Sequence, residues 1–220
     1  GEYNSAIMGG AAVSLGAESR VTIQNSTFTG NQTDKLEGGA IGTRKAAAAN
    51  NSGAKLDILN STFTDNSSNT DGGAIENNFY NSETNVGSVT VSGSTFTSNT
   101  SGHYGGAIFN SGVADKAGNK AAMTISNSTF KGNTATSNGG AIYNKGTMTV
   151  GGSFNNNSAV YGGAIDNKGT LTVSDGTIFS NNSAPTAGGA IANTGNLTIG
   201  NNVKFDGNTS YYIDETSFAS

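Results

Sequence analysis

The chemistry-bearing side chains of this 220-residue chain are few and scattered. Cysteine is absent, which excludes disulfides, thiolate metal sites and cysteine nucleophiles together. Histidine occurs once, at His103 beside Tyr104, where it reads as a solvated corner residue rather than a base or ligand; the arginines are Arg20 and Arg44. Among the acids, Asp57 stands where equivalent positions hold Thr, and Asp166 takes an outward slot filled elsewhere by Tyr143 or Ala192. This spacing assembles no pair of carboxylates on adjacent elements, as glycoside hydrolysis requires. The phosphate-binding loop, the zinc-protease helix, the nucleophile elbow and the calcium-binding glycine-rich nonapeptide are also missing from the sequence. The expectation is a chain with no catalytic residue, no metal and no cofactor: not an enzyme.

Composition narrows the classes further. A net charge of −4 without a basic cluster argues against nucleic acid and anionic membrane as partners. No apolar run approaches the roughly 20 residues of a membrane helix, so membrane insertion by this chain is not expected. Hydrophobic residues make up 34% and charged ones only 12%, with 33 glycines and one proline, Pro185. Such a composition resembles a linker, but its Ile, Val and Phe are regularly placed, as a packed repeat demands. Cysteine-free chains rich in Asn, Thr and Gly are common among exported bacterial proteins, which points to the cell exterior.

The elements that position these residues are repeated. A glycine pair followed by Ala-Ile opens each unit at Gly38, Gly72, Gly105, Gly139, Gly162 and Gly188, with a degenerate first copy at Gly9. A Phe-x-x-Asn motif closes each: Phe28 with Asn31, Phe63 with Asn66, Phe96 with Asn99, Phe130 with Asn133, Phe154 with Asn157, Phe179 with Asn182 and Phe205 with Asn208. Between them lie short strands such as Val89-Thr90-Val91 and Met148-Thr149-Val150, whose alternation sends both apolar residues to one face. Helix formers at helical spacing are confined to Lys45 to Ala49.

The fold expected is all-β: a right-handed parallel β-helix of about seven coils, starting near residues 9, 38, 72, 105, 139, 162 and 188. Residues 1–8 form a lead-in, 9–210 one β-helix domain and 211–220 a tail. A single coil buries too little to fold alone, so stability must come from stacks shared between neighbours. The expected stacks are the seven Phe, the seven Asn of the closing motif, paired aliphatic ladders, and an Ile ladder of Ile41, Ile75, Ile108, Ile142, Ile165 and Ile191.

Coil length varies at one place. From the opening Ile to the last aliphatic of the strand the chain takes 17, 16 and 17 residues in coils two to four (41 to 58, 75 to 91, 108 to 125), but 8 in each later coil. Insertions at residues 42–55, 76–88 and 109–122 thus rise from one corner of adjacent coils, where binding loops of solenoids are found. Phe79 and Tyr80 in one insertion, with Phe109 and Tyr143 on the outward side of successive openings, are the expected exposed contacts for a partner or glycan. Asn-x-Ser/Thr tripeptides such as Asn25-Ser26-Thr27 and Asn60-Ser61-Thr62 recur because Asn and Ser belong to the repeat.

Alternating Gly-Gly-Ala-Ile and Phe-x-x-Asn motifs over residues 9–208 resemble the passenger domains of chlamydial-type polymorphic membrane proteins. The resemblance implies a right-handed β-helix, secretion, display outside the cell, and adhesion or self-association. The expected partners are a host-surface protein or glycan, other copies stacked end to end, or both, since open coil ends invite further strands. A subunit that polymerises into extracellular filaments is the alternative reading, and a polysaccharide-active enzyme the third.

Overall fold

The computed structural model describes residues 5–6, 10–16, 19–34, 38–43, 55–78, 88–111 and 122–211. Phe79, Tyr80 and most of the three insertions lie outside the described residues.

Every described strand pairs in parallel with its counterpart one repeat away, and the strands form three sheets. The first, here the Ile sheet, has seven strands, Val13–Leu15, Ile41–Thr43, Ile75–Asn77, Ile108–Asn110, Ile142–Asn144, Ile165–Asn167 and Ile191–Asn193. The second is bent into two arms. One arm carries the aliphatic strands from Arg20–Gln24 to Asn196–Ile199, and the other the Phe-bearing segments from Thr27–Thr29 to Lys204–Asp206. A third, short sheet is built from two-residue strands including Gln32–Thr33, Ser67–Ser68, Thr100–Ser101 and Thr134–Ala135. Stacked coils with three parallel sheets make a parallel β-helix, as the repeat spacing predicts.

The glycine pair makes the tight corner possible. Gly105 sits at φ +64, in the left-handed region that glycine enters at least cost, while Gly106 has no room for a side chain: a Cβ there would lie 2.1 Å from the Gly140 carbonyl oxygen of the next coil. The first glycine turns the chain and the second lets the coils approach.

Inside, the repeat becomes ladders. The rings of Phe28, Phe63, Phe96, Phe130, Phe154, Phe179 and Phe205 stack face to face with centroids 4.7 to 5.1 Å apart. Ile41, Ile75, Ile108, Ile142 and Ile165 are fully buried beside them, and Ile191 packs partly buried at the end of its row. Each closing-motif Asn in the middle of the stack saturates its amide. Asn99 donates through Nδ2 to Asn133 Oδ1 (2.9 Å) and to the Phe63 carbonyl (3.1 Å), while its Oδ1 accepts from the backbone N and Nδ2 of Asn66 (3.1 and 2.9 Å).

A second amide ladder runs along the end of the Ile sheet. Asn77, Asn110, Asn144, Asn167 and Asn193 are linked Nδ2 to Oδ1 at 2.7 to 2.8 Å. Where coil five is one residue short between strand and Phe, the register slips between Ile125 and Ser128, and Gly152 takes up the slip at φ +139.

A candidate binding corner on the outer face of the Ile sheet

Strand alternation leaves one residue of each Ile-x-Asn triplet on the face opposite the core. In register these are Glu76, Phe109, Tyr143, Asp166 and Ala192. The residue just before each glycine pair runs alongside, with Asp71, Tyr104, Asn138, Tyr161 and Ala187 bridged in parallel from coil to coil. A third column follows the Asn ladder: Asn78, Ser111, Lys145, Lys168 and Thr194. The glycine corner folds these three columns onto one another, so that side chains of different columns in neighbouring coils meet.

The contacts are specific. Tyr104 stacks on Tyr143 with centroids 4.6 Å apart, and Phe109 lies 5.6 Å from Tyr143 and 6.3 Å from Tyr104. The Lys145 ammonium lies over all three rings at 5.5 to 6.0 Å, within cation–π range. One coil on, Asn138 donates through Nδ2 to Asp166 Oδ2, and Lys168 Nζ lies 3.6 Å from Asp166 Oδ1, which has no hydrogen-bond donor. Asp71 accepts from the Tyr104 backbone N at 3.2 Å, with His103 and Lys145 close enough to be felt electrostatically.

Phe109 and Tyr143 face outward but are not the exposed contacts expected of them. They are 6% and 5% exposed, because Tyr104, Lys145 and each other's rings pack around them. Asp166, also outward, is fully buried. Lys145, Tyr161, Lys168 and Thr194 are instead exposed at the corner, with Tyr104 half-buried. In the sequence Tyr104 stands out only as a neighbour of His103, and no motif singles out Asn138, Lys145 or Lys168. The signal for them is positional, one residue before each glycine pair and one after each Ile-x-Asn.

The electrostatics of the corner set it apart. Burial pushes the Asp166 carboxyl up from its ordinary value, opposed by the Asn138 amide and Lys168. Burial likewise raises Asp71, opposed by the Tyr104 amide, His103 and Lys145. Tyr143 is pushed up to about 12, first by burial and then by the charge of Asp166, Tyr104 and Asp71. Groups perturbed by burial together with defined charge partners concentrate at functional sites. Asp71 and Asp166 stand three coils apart, about 14 Å at the usual strand spacing, too far to share a glycosidic bond. Among the described residues no group of His, Asp or Glu is arranged to hold a metal ion.

The Chlamydia polymorphic membrane protein repeat is matched at residues 60–78, 93–111, 127–145 and 176–194. The chain carries repeats of the polymorphic membrane protein type. Each match runs from the Phe-bearing strand across the glycine pair to the residue after the Ile strand, and so takes in all three columns of the corner. In all four the Phe and the Ile lie 12 positions apart (63 to 75, 96 to 108, 130 to 142, 179 to 191). The two unmatched copies have 13 (28 to 41) and 11 (154 to 165), so matching follows the length of this corner. No curated protein and no solved structure matches the chain.

Proposed function

We propose that this chain is a non-enzymatic, adhesin-like β-solenoid displayed outside the cell, which attaches to a host-surface protein or glycan through the corner of Tyr104, Lys145, Tyr161 and Lys168. The observation that carries this reading is the contrast in residue type along that corner. In the described middle coils the inward Ile, Phe and closing-motif Asn recur unchanged, while the column outward of the Ile changes from Glu76 to Phe109, Tyr143, Asp166 and Ala192. The matches to the Chlamydia polymorphic membrane protein repeat support surface display.

The test is attachment of beads coated with the purified chain to cultured epithelial cells. Tyr104→Ala together with Lys145→Glu is expected to cut attachment at least tenfold with the fold intact. Undiminished attachment by the folded double variant would overturn the assignment to this corner.

End-to-end assembly is a second reading, favoured by the last described coil. There Ile199 and Phe205 are 46% and 48% exposed although their counterparts one coil earlier are buried, an apolar strand edge that a further coil, of this chain or of a second copy, would complete. Phe205→Lys is expected to abolish concentration-dependent sedimentation. If the unaltered chain sediments as a single small species at every concentration, this second reading fails.

A further inference from the structure

Six of the Asn-x-Ser/Thr tripeptides look alike in sequence, but the fold sorts these six into two opposite classes. In Asn31-Gln32-Thr33, Asn66-Ser67-Ser68 and Asn99-Thr100-Ser101 the first and third residues both point inward and all six are buried. Their amides are committed to the Asn ladder. In Asn25-Ser26-Thr27, Asn60-Ser61-Thr62 and Asn127-Ser128-Thr129 the pleat is reversed. Each Asn is exposed, and each Thr lies on the outer face, exposed or half-buried, beside an inward Phe.

The outward class has a common geometry. Asn25, Asn60 and Asn127 occupy left-handed corners at φ 49, 49 and 47. The middle Ser turns away from solvent: Ser26, Ser61 and Ser128 each donate through Oγ to the carbonyl two residues back, at 2.8 to 2.9 Å. Asn amide and Thr hydroxyl are thereby left on the same solvent side, the pair of groups an asparagine-modifying transferase reads. The three Asn fall in one column, with Gly93 at the intervening coil; a Cβ on Gly93 would lie 2.4 Å from Asn60 Oδ1, so the glycine leaves room for the Asn60 side chain.

We propose that Asn25, Asn60 and Asn127 are a column of N-linked sugar acceptor sites on one edge of the solenoid. The donor is a nucleotide-activated hexose. The Asn Nδ2 attacks the anomeric carbon, the bond from that carbon to the diphosphate oxygen breaks, and the nucleoside diphosphate leaves with the electron pair. One amide proton passes to a base on the transferase, and nothing is oxidised or reduced. The proposal rests on surface display for its occurrence in the cell, but not for its stereochemistry.

Two measurements test it. In the first, the folded chain and a denatured sample are each incubated with a soluble asparagine glucosyltransferase and UDP-glucose, then mapped by peptide mass spectrometry. Hexose is expected in the folded chain on Asn25, Asn60 and Asn127 and at least tenfold less on Asn31, Asn66 and Asn99, a difference that denaturation erases. Thr27→Val, Thr62→Val and Thr129→Val should each abolish transfer at their own Asn without lowering Tm. Equal transfer to both classes in the folded chain, or none at the outward three when the denatured chain accepts it, overturns the stereochemical claim. In the second, the chain is isolated from its native cells and mapped in the same way. Sugar at the outward sites supports the proposal, and bare asparagine at all three overturns it. Protease treatment of intact cells, run in parallel, reports on surface display alone: if it leaves the chain uncut, the display reading fails while the transfer result still stands.

Discussion

Ile108 and Phe109 are neighbours in one three-residue strand, yet they belong to two regions that obey different rules. Ile108 faces inward and is repeated as Ile75, Ile142 and Ile165 in adjoining coils; Phe109 faces outward and is aligned with Glu76, Tyr143 and Asp166. An inward Phe or closing-motif Asn stacks on its own copy about 4.8 Å away and keeps its type along the ladder, while the inward row Leu56, Val89, Met123, Met148 and Leu171 keeps only its apolar character. The outward Thr90, Thr124, Thr149 and Thr172 of the aliphatic strands also repeat, whereas the column outward of the Ile ladder keeps neither type nor polarity. Uniformity along the ladders therefore reports on folding, and the variety of that one column marks where function has room to act.

Mutations separate the two regions, and the largest effects fall inside. Gly106→Ala places a Cβ against the Gly140 carbonyl oxygen, backbone on backbone, and is expected to prevent folding as judged by the loss of the β-sheet circular dichroism signal. Phe130→Ala opens a gap in a closed ring stack and should cost about 3–5 kcal/mol in chemical denaturation. Asn99→Ala removes the Oδ1 that accepts from both the backbone N and Nδ2 of Asn66 in the preceding coil and should cost about 1–3 kcal/mol for each group left unsatisfied. Equal tolerance of Asn99→Ala and an outward substitution such as Thr90→Ala would break the distinction between the regions.

At the corner the expected changes are smaller, and one has the opposite sign. Asp166 is buried with its carboxyl pKa raised, so the folded chain holds the proton more tightly than the unfolded chain. The group's contribution to stability is then complete below the ordinary carboxylate pKa and is lost as pH rises through the raised folded value. Asp166→Asn keeps an acceptor for Asn138 and removes the buried charge. It should raise Tm at neutral pH and flatten the dependence of Tm on pH between acidic and neutral conditions. A lower Tm at pH 7 with an unchanged pH profile would show that the Lys168 pair outweighs the cost of burial.

The inner region was largely legible in the sequence because its period is rigid. Fourteen short motifs in strict alternation specify the stacking, and the Phe and closing Asn ladders follow from it. The second amide ladder escaped, although Ile-x-Asn recurs at 75–77, 108–110, 142–144, 165–167 and 191–193. An Asn after a strand is also an ordinary turn residue, and only the stacking register shows that Asn110 bonds its counterpart Asn144 as well as closing a corner. The corner was harder still. Outwardness of Phe109 and Tyr143 follows from strand alternation, but their burial depends on Tyr104 and Lys145, which reach them only after the glycine turn has brought three columns together. No spacing rule converts outward into exposed.

The central claim is that the ladders hold the fold and the corner holds the function. The most direct measurement is a paired reading of Tm and epithelial-cell attachment for the double variant Tyr104→Ala, Lys145→Glu beside Phe130→Leu. The account predicts that the corner variant stays folded at the assay temperature, losing about 1–3 kcal/mol through the uncovered rings, while attachment falls at least tenfold. Phe130→Leu should do the reverse, losing stability while retaining attachment below its lowered Tm. A corner variant that unfolds, or one that stays folded and attaches as well as the unaltered chain, would contradict it.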